Sequence, residues 1–506
     1  MTAPAPRRSP HLTRRRFLAL GATAAAVGAL AACTPTPAWV SPTGAAVDRT
    51  ERGRGGTGRV VTATLTAAAA TLDLAGTPAS TFSYGSIPGP VLRVQAGDTL
   101  QATLRNTLPV DTSVHWHGLA LRNDMDGVPP LTQTATRPGE SFQYEFIAPD
   151  PGTHWFHPHV GAQLDTGLYG VLIVEDPNEP LRYDDEWVIV LDDWLDGVTA
   201  TPDAVLEQLR EGMGDMGGHG DMFMRMGNML MGADSDLLGG DAGDVYYPHY
   251  LINGKPAADP AQFTGTPGTR VRIRLINAGG DTAFRVAIGG HRLTVTHTDG
   301  FPVDPVAADS VLVGMGERYD VIVTLGDGAF PLVAEAEGKR ECGFAIIRTG
   351  SGQAPTPDAD IAELGEGRVV AVASMLFAAP EVTLDRRDVD RTLDLTLTGS
   401  MANYDWGFNG TQFDMHNPLR GAHALVAGER VRLRVTNDTD MWHPFHLHGH
   451  TYQHAGGGPR KDTSIVLPNQ TLDLEFDADN PGQWMTHCHN IYHGEAGMMT
   501  VLAYRP

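Results

Sequence analysis

The chain has 506 residues, 59 of them glycine and 35 proline, and a formal net charge of −23. That length supports about three domains, each able to bury its own core, and short β-rich runs between Gly- and Pro-marked turns favour an all-β chain. So acidic a surface repels nucleic acid and favours small cations or neutral substrates, and three cysteines (Cys33, Cys342, Cys488) do not make a disulfide framework.

Residues 1–32 read as a targeting segment rather than part of the fold. Thr13-Arg14-Arg15-Arg16-Phe17-Leu18 opens an Ala-rich apolar stretch to Ala32, similar to a twin-arginine export signal, the route for proteins moved already folded. Leu30-Ala31-Ala32-Cys33 resembles a bacterial lipobox, which would place a lipid on Cys33; the alternative is a plain small-residue cleavage site. The stretch is too short for a stable transmembrane helix. The chain is thus expected at the outer face of a bacterial membrane or in the periplasm, touching membrane only through such a lipid. Without the leader, 32 basic residues face 60 acidic ones, a formal −28. Residues 33–56 read as a linker.

From there the chain repeats itself. Gly97-Asp98-Thr99-Leu100 leads nine residues on to Asn106, Gly268-Thr269-Arg270-Val271 to Asn277, and Gly428-Glu429-Arg430-Val431 to Asn437. Between each Gly and Asn, apolar and polar residues alternate with the period of a half-buried strand. Upstream lie Tyr84-Gly85, Asn253-Gly254 and Asn409-Gly410. Three β-sandwich-like units are predicted, over 57–180, 181–360 and 361–506. Cys342 reads as a buried apolar thiol.

The units differ in histidine. His115-Trp116-His117 and His157-Pro158-His159 fall in the first, and His446-Leu447-His448 and His487-Cys488-His489 at corresponding spacings in the third. Residues i and i+2 of a strand share a face, so each pair aims two imidazoles one way. Eight converging imidazoles suit copper, zinc, iron or nickel, and are too many for one ion. Cys488, His493 and Met498, with His443, match the trigonal His₂Cys site with a weak axial Met that holds electron-transferring copper. His487 and His489 point to the opposite face of the strand from Cys488, so two metal centres are wired through one backbone. In the middle unit Ala278-Gly279-Gly280-Asp281 follows Asn277 and no His pair occurs; it reads as a spacer, with the cluster between units one and three.

This pattern resembles the three-domain multicopper oxidases (laccases, bilirubin oxidases and cuprous oxidases) across essentially the whole chain after the leader. The motifs are His115-Trp116-His117-Gly118, His157-Pro158-His159, the run from His443 to Gly449, and the run from His487 to Met499. The resemblance implies three consecutive cupredoxin-like Greek-key β-sandwich domains and four coppers per chain. His443, Cys488, His493 and Met498 would hold the type 1 copper, and His115 and His446 the type 2. His117, His157 and His489 would hold one type 3 copper, and His159, His448 and His487 the other. Arg318-Tyr319-Asp320, after Met315-Gly316-Glu317, resembles a middle-domain stretch of the family. The implied activity is one-electron oxidation of a small-molecule or Cu(I) donor, coupled to reduction of O₂ to water.

Oxygen reduction also consumes protons, so a carboxylate near the cluster is expected. Asp126 lies eleven residues after His115, where the family places such an acid; its plainer reading is a turn residue before Gly127. The second acid is expected directly after His493, where Gly494 stands, and Glu495 is the candidate substitute. His154 reads as a supporting or surface histidine, and His450 and His454 as structural.

Residues 213–231 hold Met213, Met216, Met222, Met224, Met226, Met229 and Met231. Thioethers select Cu(I), so the stretch reads as a metal-recruiting insertion. The alternative is an apolar helical face, since Met222, Met226 and Met229 have i, i+4, i+7 spacing. Asp440, Met441 and Trp442 are expected to line a substrate edge beside His443. A copper-tolerance role follows if the donor is Cu(I). A laccase-like phenol oxidase and a non-catalytic copper-sequestering lipoprotein are the alternatives, and a copper nitrite reductase fits less well. The sequence does not set the oligomeric state; a monomer is expected.

Overall fold

The computed structural model describes residues 39–211, 223–358 and 360–506. The leader with Cys33, and Met213, Met216 and Met222, lie outside the described residues.

The architecture is all-β, in three sandwiches. The first packs a sheet ordered 77–83, 60–74, 99–106, 141–147 against one ordered 91–95, 170–175, 152–157, 115–117. The second pairs seven strands with six, and the third six with five. The repeat seen in sequence is a repeat of pairing. Strands Thr99–Asn106, Arg270–Asn277 and Arg430–Asn437 each run parallel to an earlier strand (60–67, 185–191, 391–397) and antiparallel to a later one.

The asparagine ending each repeat is buried and does the same work three times. Its side-chain amide donates to two carbonyls across the following loop: Val110 and Thr136 for Asn106, Thr282 and Val313 for Asn277, Met441 and Val466 for Asn437. Its carbonyl oxygen accepts from a backbone N–H two residues on. Satisfying these buried groups fixes the loop that delivers the next strand. In the first and third units that strand carries His115–His117 and His443–Leu447.

Two expected boundaries shift. The segment read as a linker is packed from Val40 on: Val40 N–H donates to the Tyr504 carbonyl, and helix Ala45–Gly53 buries Val47. Residues 361–379 belong physically to the middle sandwich, because Val370–Ala371 extends its six-stranded sheet alongside Ser310–Val311. Cys342 is half-buried rather than buried, and Cys342 and Cys488 are both free thiols. No helix among the described residues is long and apolar enough to cross a membrane.

Candidate metal centres

Strand Gln483–Cys488 lies between Met499–Tyr504 and His443–Leu447, with Phe445 opposite Cys488 and His446 opposite His487. The register puts the cysteine on one face and the flanking histidines on the other. Just beyond, Asn490 caps the short helix Ile491–Ala496 by accepting from Tyr492 N–H and His493 N–H, turning His493 back towards Cys488.

On the cysteine face, Cys488 Sγ lies 3.6 Å from His443 Nδ1 and 3.8 Å from His493 Nδ1, and the two nitrogens are 3.1 Å apart. Both outer nitrogens are engaged. His443 Nε2 is 2.8 Å from Thr439 Oγ1, whose own proton is claimed by Asn437 Oδ1 or the Met441 carbonyl, so His443 Nε2–H must donate. His493 Nε2 is 3.1 Å from Asp244 Oδ2. Burial, and then Asp281, push the Asp244 carboxyl up, while burial brings His493 down to about 4; a cation at Nδ1 requires their shared proton on Nε2. Two lone pairs and a sulfur then converge on one buried point, an arrangement that a cation satisfies. Met498 is fully buried in the same loop, with Cys488 N–H donating to its carbonyl. Trp406 closes the site, its ring centroid 5.3 Å from that of His443 and 4.5 Å from that of His493.

On the other face the structure brings together all eight paired histidines. Outer hydrogen bonds orient most of them. His115 Nδ1 meets the Asp126 carbonyl (2.8 Å), His157 Nδ1 the Pro158 carbonyl (2.9 Å) and His446 Nδ1 the Asp462 carbonyl (3.0 Å). His448 Nδ1 meets Asp126 Oδ2 (3.0 Å), His487 Nδ1 the Cys488 carbonyl (2.8 Å), and His117 Nε2 Asp462 Oδ1 (3.1 Å). Most inner nitrogens have no hydrogen-bond partner. Buried and without a hydrogen-bond partner are Nε2 of His115, His157 and His446, Nδ1 of His117, and both nitrogens of His489. His487 Nε2 lies 3.1 Å from His448 Nε2 and 3.5 Å from His159 Nε2. Buried polar atoms left unpaired in such number are rare, and bound metal ions would satisfy them. Burial, reinforced by neighbouring imidazoles, holds His117, His157, His159, His448 and His489 well below the ordinary histidine range, hence neutral and free to ligate.

The chain belongs to the multicopper oxidase family. Multicopper oxidase family models match residues 67–179, 185–352 and 386–506. It is a copper-dependent oxidoreductase that uses oxygen as acceptor. Among its relatives is multicopper oxidase MmcO of Mycobacterium tuberculosis, 48% identical and covering 97% of this chain and 96% of that one. A copper resistance protein A homolog of Pseudomonas syringae is 30% identical over 82% of this chain and 87% of its own. The laccase of Botrytis aclada superposes with a TM-score of 0.72 at 25% identity, covering 91% of this chain and 90% of that one.

Of the expected acids, Asp126 is fully buried, one oxygen on His448 and the other 3.2 Å from His115 Nδ1 without forming a hydrogen bond. Glu495 lines a cavity of about 10 Å³ with His157, His159, His487 and His489, room for about one water molecule. Burial pushes its carboxyl up to about 7. His154 is fully buried beside Gly300 rather than on the surface. His450 and His454 are structural, bonded to Tyr504 Oη and Ser464 Oγ.

The expected substrate edge is corrected. Asp440 is exposed, but Met441 and Trp442 are buried. Trp442 packs with Leu230, Ala233, Leu238 and Ala242, and Asp241 bridges to Met441. Segment 223–245 of the middle unit therefore covers the His443/His493 side. The helical reading of the methionines also fails: Met224–Met226 and Met229–Met231 form an antiparallel hairpin pairing Met224 with Met231 and Met226 with Met229. Alternation and cross-strand pairing put these four thioethers on one face; Met229 is buried, Met224 and Met231 half-buried, and Met226 exposed.

Nor is the middle unit a spacer. It supplies Asp244 to His493, and Asp281 to Asn490 Nδ2 at 2.6 Å. Asp244, Thr439 and Asp462 lie outside the motifs read from the sequence, and chain distance hides Asp244, which is 249 residues from His493. Asn490 lies within the His487–Met499 run, but its capping role is not apparent there.

Proposed function

We propose that this oxidase carries four coppers: a type 1 ion at His443, Cys488, His493 and Met498, a type 2 ion at His115 and His446, and a type 3 pair on the remaining six paired histidines. Its physiological donor is Cu(I), with phenols accepted in vitro. The observation that carries the donor assignment is that one segment, 223–245, presents the methionine face and also places Asp244 on His493. Soft thioethers collect Cu(I), and the Asp244–His493 contact leads from that segment to the thiolate site. The name of the Pseudomonas syringae relative ties that protein to copper resistance, which supports a copper-tolerance role here.

Copper at the two centres would take electrons singly through Cys488 and its peptide neighbours His487 and His489 and deliver four of them to dioxygen, giving water. The chain's own residues do the rest. Burial of Cys488 and both type 1 imidazoles excludes water and limits reorganisation. Asp126 and Glu495 are placed to pass protons to the cluster, Asp126 at His448 and Glu495 from the side of the small cavity. The leader sends the folded monomer across the membrane, with Cys33 as its lipid anchor.

The test is oxygen uptake by the purified, copper-loaded protein. Four Cu(I) should be consumed per O₂, by a protein that is blue and holds four coppers. A phenol oxidase would instead consume oxygen with hydroquinones and leave Cu(I) at its background rate. A sequestering protein would bind copper and consume no oxygen with either.

A further inference from the structure

The middle unit reaches the copper cluster itself, at a residue outside every histidine motif. Arg318 is fully buried and its guanidinium touches all three units. Nε donates to the Thr153 carbonyl of unit one (3.0 Å), and Nη1 to the Gly316 carbonyl of its own unit (3.0 Å). Nη1 and Nη2 grip Asp462 of unit three, at 2.7 Å to Oδ1 and 2.6 Å to Oδ2. This fork-on-carboxylate geometry is strong and directional.

Asp462 in turn holds two cluster imidazoles from different units. Its Oδ1 accepts from His117 Nε2, and its main-chain carbonyl from His446 Nδ1. Those rings stack with centroids 3.8 Å apart and planes 11° apart. Each bond places the ring proton on the outside and leaves bare the nitrogen that faces the cluster, His117 Nδ1 and His446 Nε2. With Arg318 on both its oxygens, Asp462 is an anchor for the imidazoles rather than a ligand. The backbone is shaped to this contact. A Cβ on Gly118, next to His117, would lie 2.3 Å from Arg318 Nη2, and one on Gly316 would lie 2.9 Å from His489 Cδ2. Lys461 completes the join, meeting Asp299 at 3.1 Å and Glu317 at 3.1 Å, all three buried.

We infer that Arg318 is a positioning residue for the oxygen-reducing cluster, acting through Asp462 to fix the tautomer and tilt of His117 and His446 and so making cluster assembly depend on the docked middle unit. This rests on the ligand assignment proposed above.

The experiment uses the full-length chain in four forms: wild type, Arg318→Lys, Arg318→Met and Arg318→Met with Asp462→Asn. Each is followed by blue absorbance, the type 2 paramagnetic signal, copper retained against a chelator, and the melting temperature of the copper-free protein. Arg318→Met should keep the blue band yet hold cluster copper about 10- to 100-fold more weakly, with the type 2 signal reduced; Arg318→Lys should fall between. The double variant removes the carboxylate charge that Arg318→Met leaves buried, so it should recover melting temperature without recovering the type 2 signal. A type 2 signal that returns together with stability, or full cluster copper in Arg318→Met, overturns the inference. Should Arg318→Met fail to fold, the double variant decides alone, full cluster copper counting against the inference. A wild type lacking the type 2 signal would instead refute the ligand assignment.

Discussion

Asp244 Oδ2 and His493 Nε2 meet at 3.1 Å in a fully buried contact between the middle and third units. The opposite side of the same imidazole faces Cys488 Sγ at 3.8 Å. One ring thus links the methionine-bearing segment to the thiolate, and the solvent-facing edge through which an organic donor would make direct contact is covered.

Substituting Asp244 tests that link. Asp244→Ala strands a buried His493 N–H, at a cost of about 1–3 kcal/mol. The blue band should persist at a shifted wavelength, and Cu(I) should reduce it about tenfold or more slowly, each 1.36 kcal/mol of barrier being about tenfold in rate. Asp244→Asn, which still accepts the bond, should retain more of the rate. An unchanged rate in Asp244→Ala would remove Asp244 from the path.

Cys488→Ser should abolish both colour and turnover while the eight-histidine cluster stays largely metallated. The two ligand sets lie on opposite faces of one strand, so losing the thiolate leaves the imidazoles and their outer hydrogen bonds in place. Copper analysis with optical and paramagnetic spectra checks this; loss of all copper together would show that the centres assemble as one.

Asp126→Asn should slow reoxidation by O₂ while leaving reduction of the blue copper by donor nearly unchanged. The side chain touches His448 and lies near His115 but makes no contact with the Cys488 site. Stopped-flow traces of the two half-reactions separate the steps, and equal slowing of both would point to a structural role. If Glu495→Gln alone stalls the oxygen step, the principal proton donor is the acid at the small cavity.

Much of this molecule was legible in sequence because its chemistry is local. The Gly-to-Asn spacing marks a strand and its bracketing asparagine, and four His-x-His pairs need only the strand's two-residue period to aim their rings. What was not legible depends on contacts between units. Asp244 and Asp462 sit in ordinary strand or loop contexts, and Arg318 in a stretch marked only by its family resemblance; their roles emerge against partners 249, 345 and 144 residues away. The methionine spacing left a helical alternative open because a period of three to four residues also fits two short strands, in which Met226 and Met229 are cross-strand partners. Trp442 and Met441 looked like a pocket rim because nothing in their own loop reveals that 223–245 folds over them.

The most direct measurement is anaerobic bleaching of the blue band by Cu(I) and, separately, by a small hydroquinone, in wild type and in a variant with all seven methionines of 213–231 replaced by leucine. Leucine keeps the bulk and apolar character of the segment and removes soft ligation. The expected result is a steep fall in the Cu(I) rate with the hydroquinone rate held or raised. Rates for both donors that are unchanged by the replacement would make the hairpin mere packing and contradict a Cu(I)-fed oxidase.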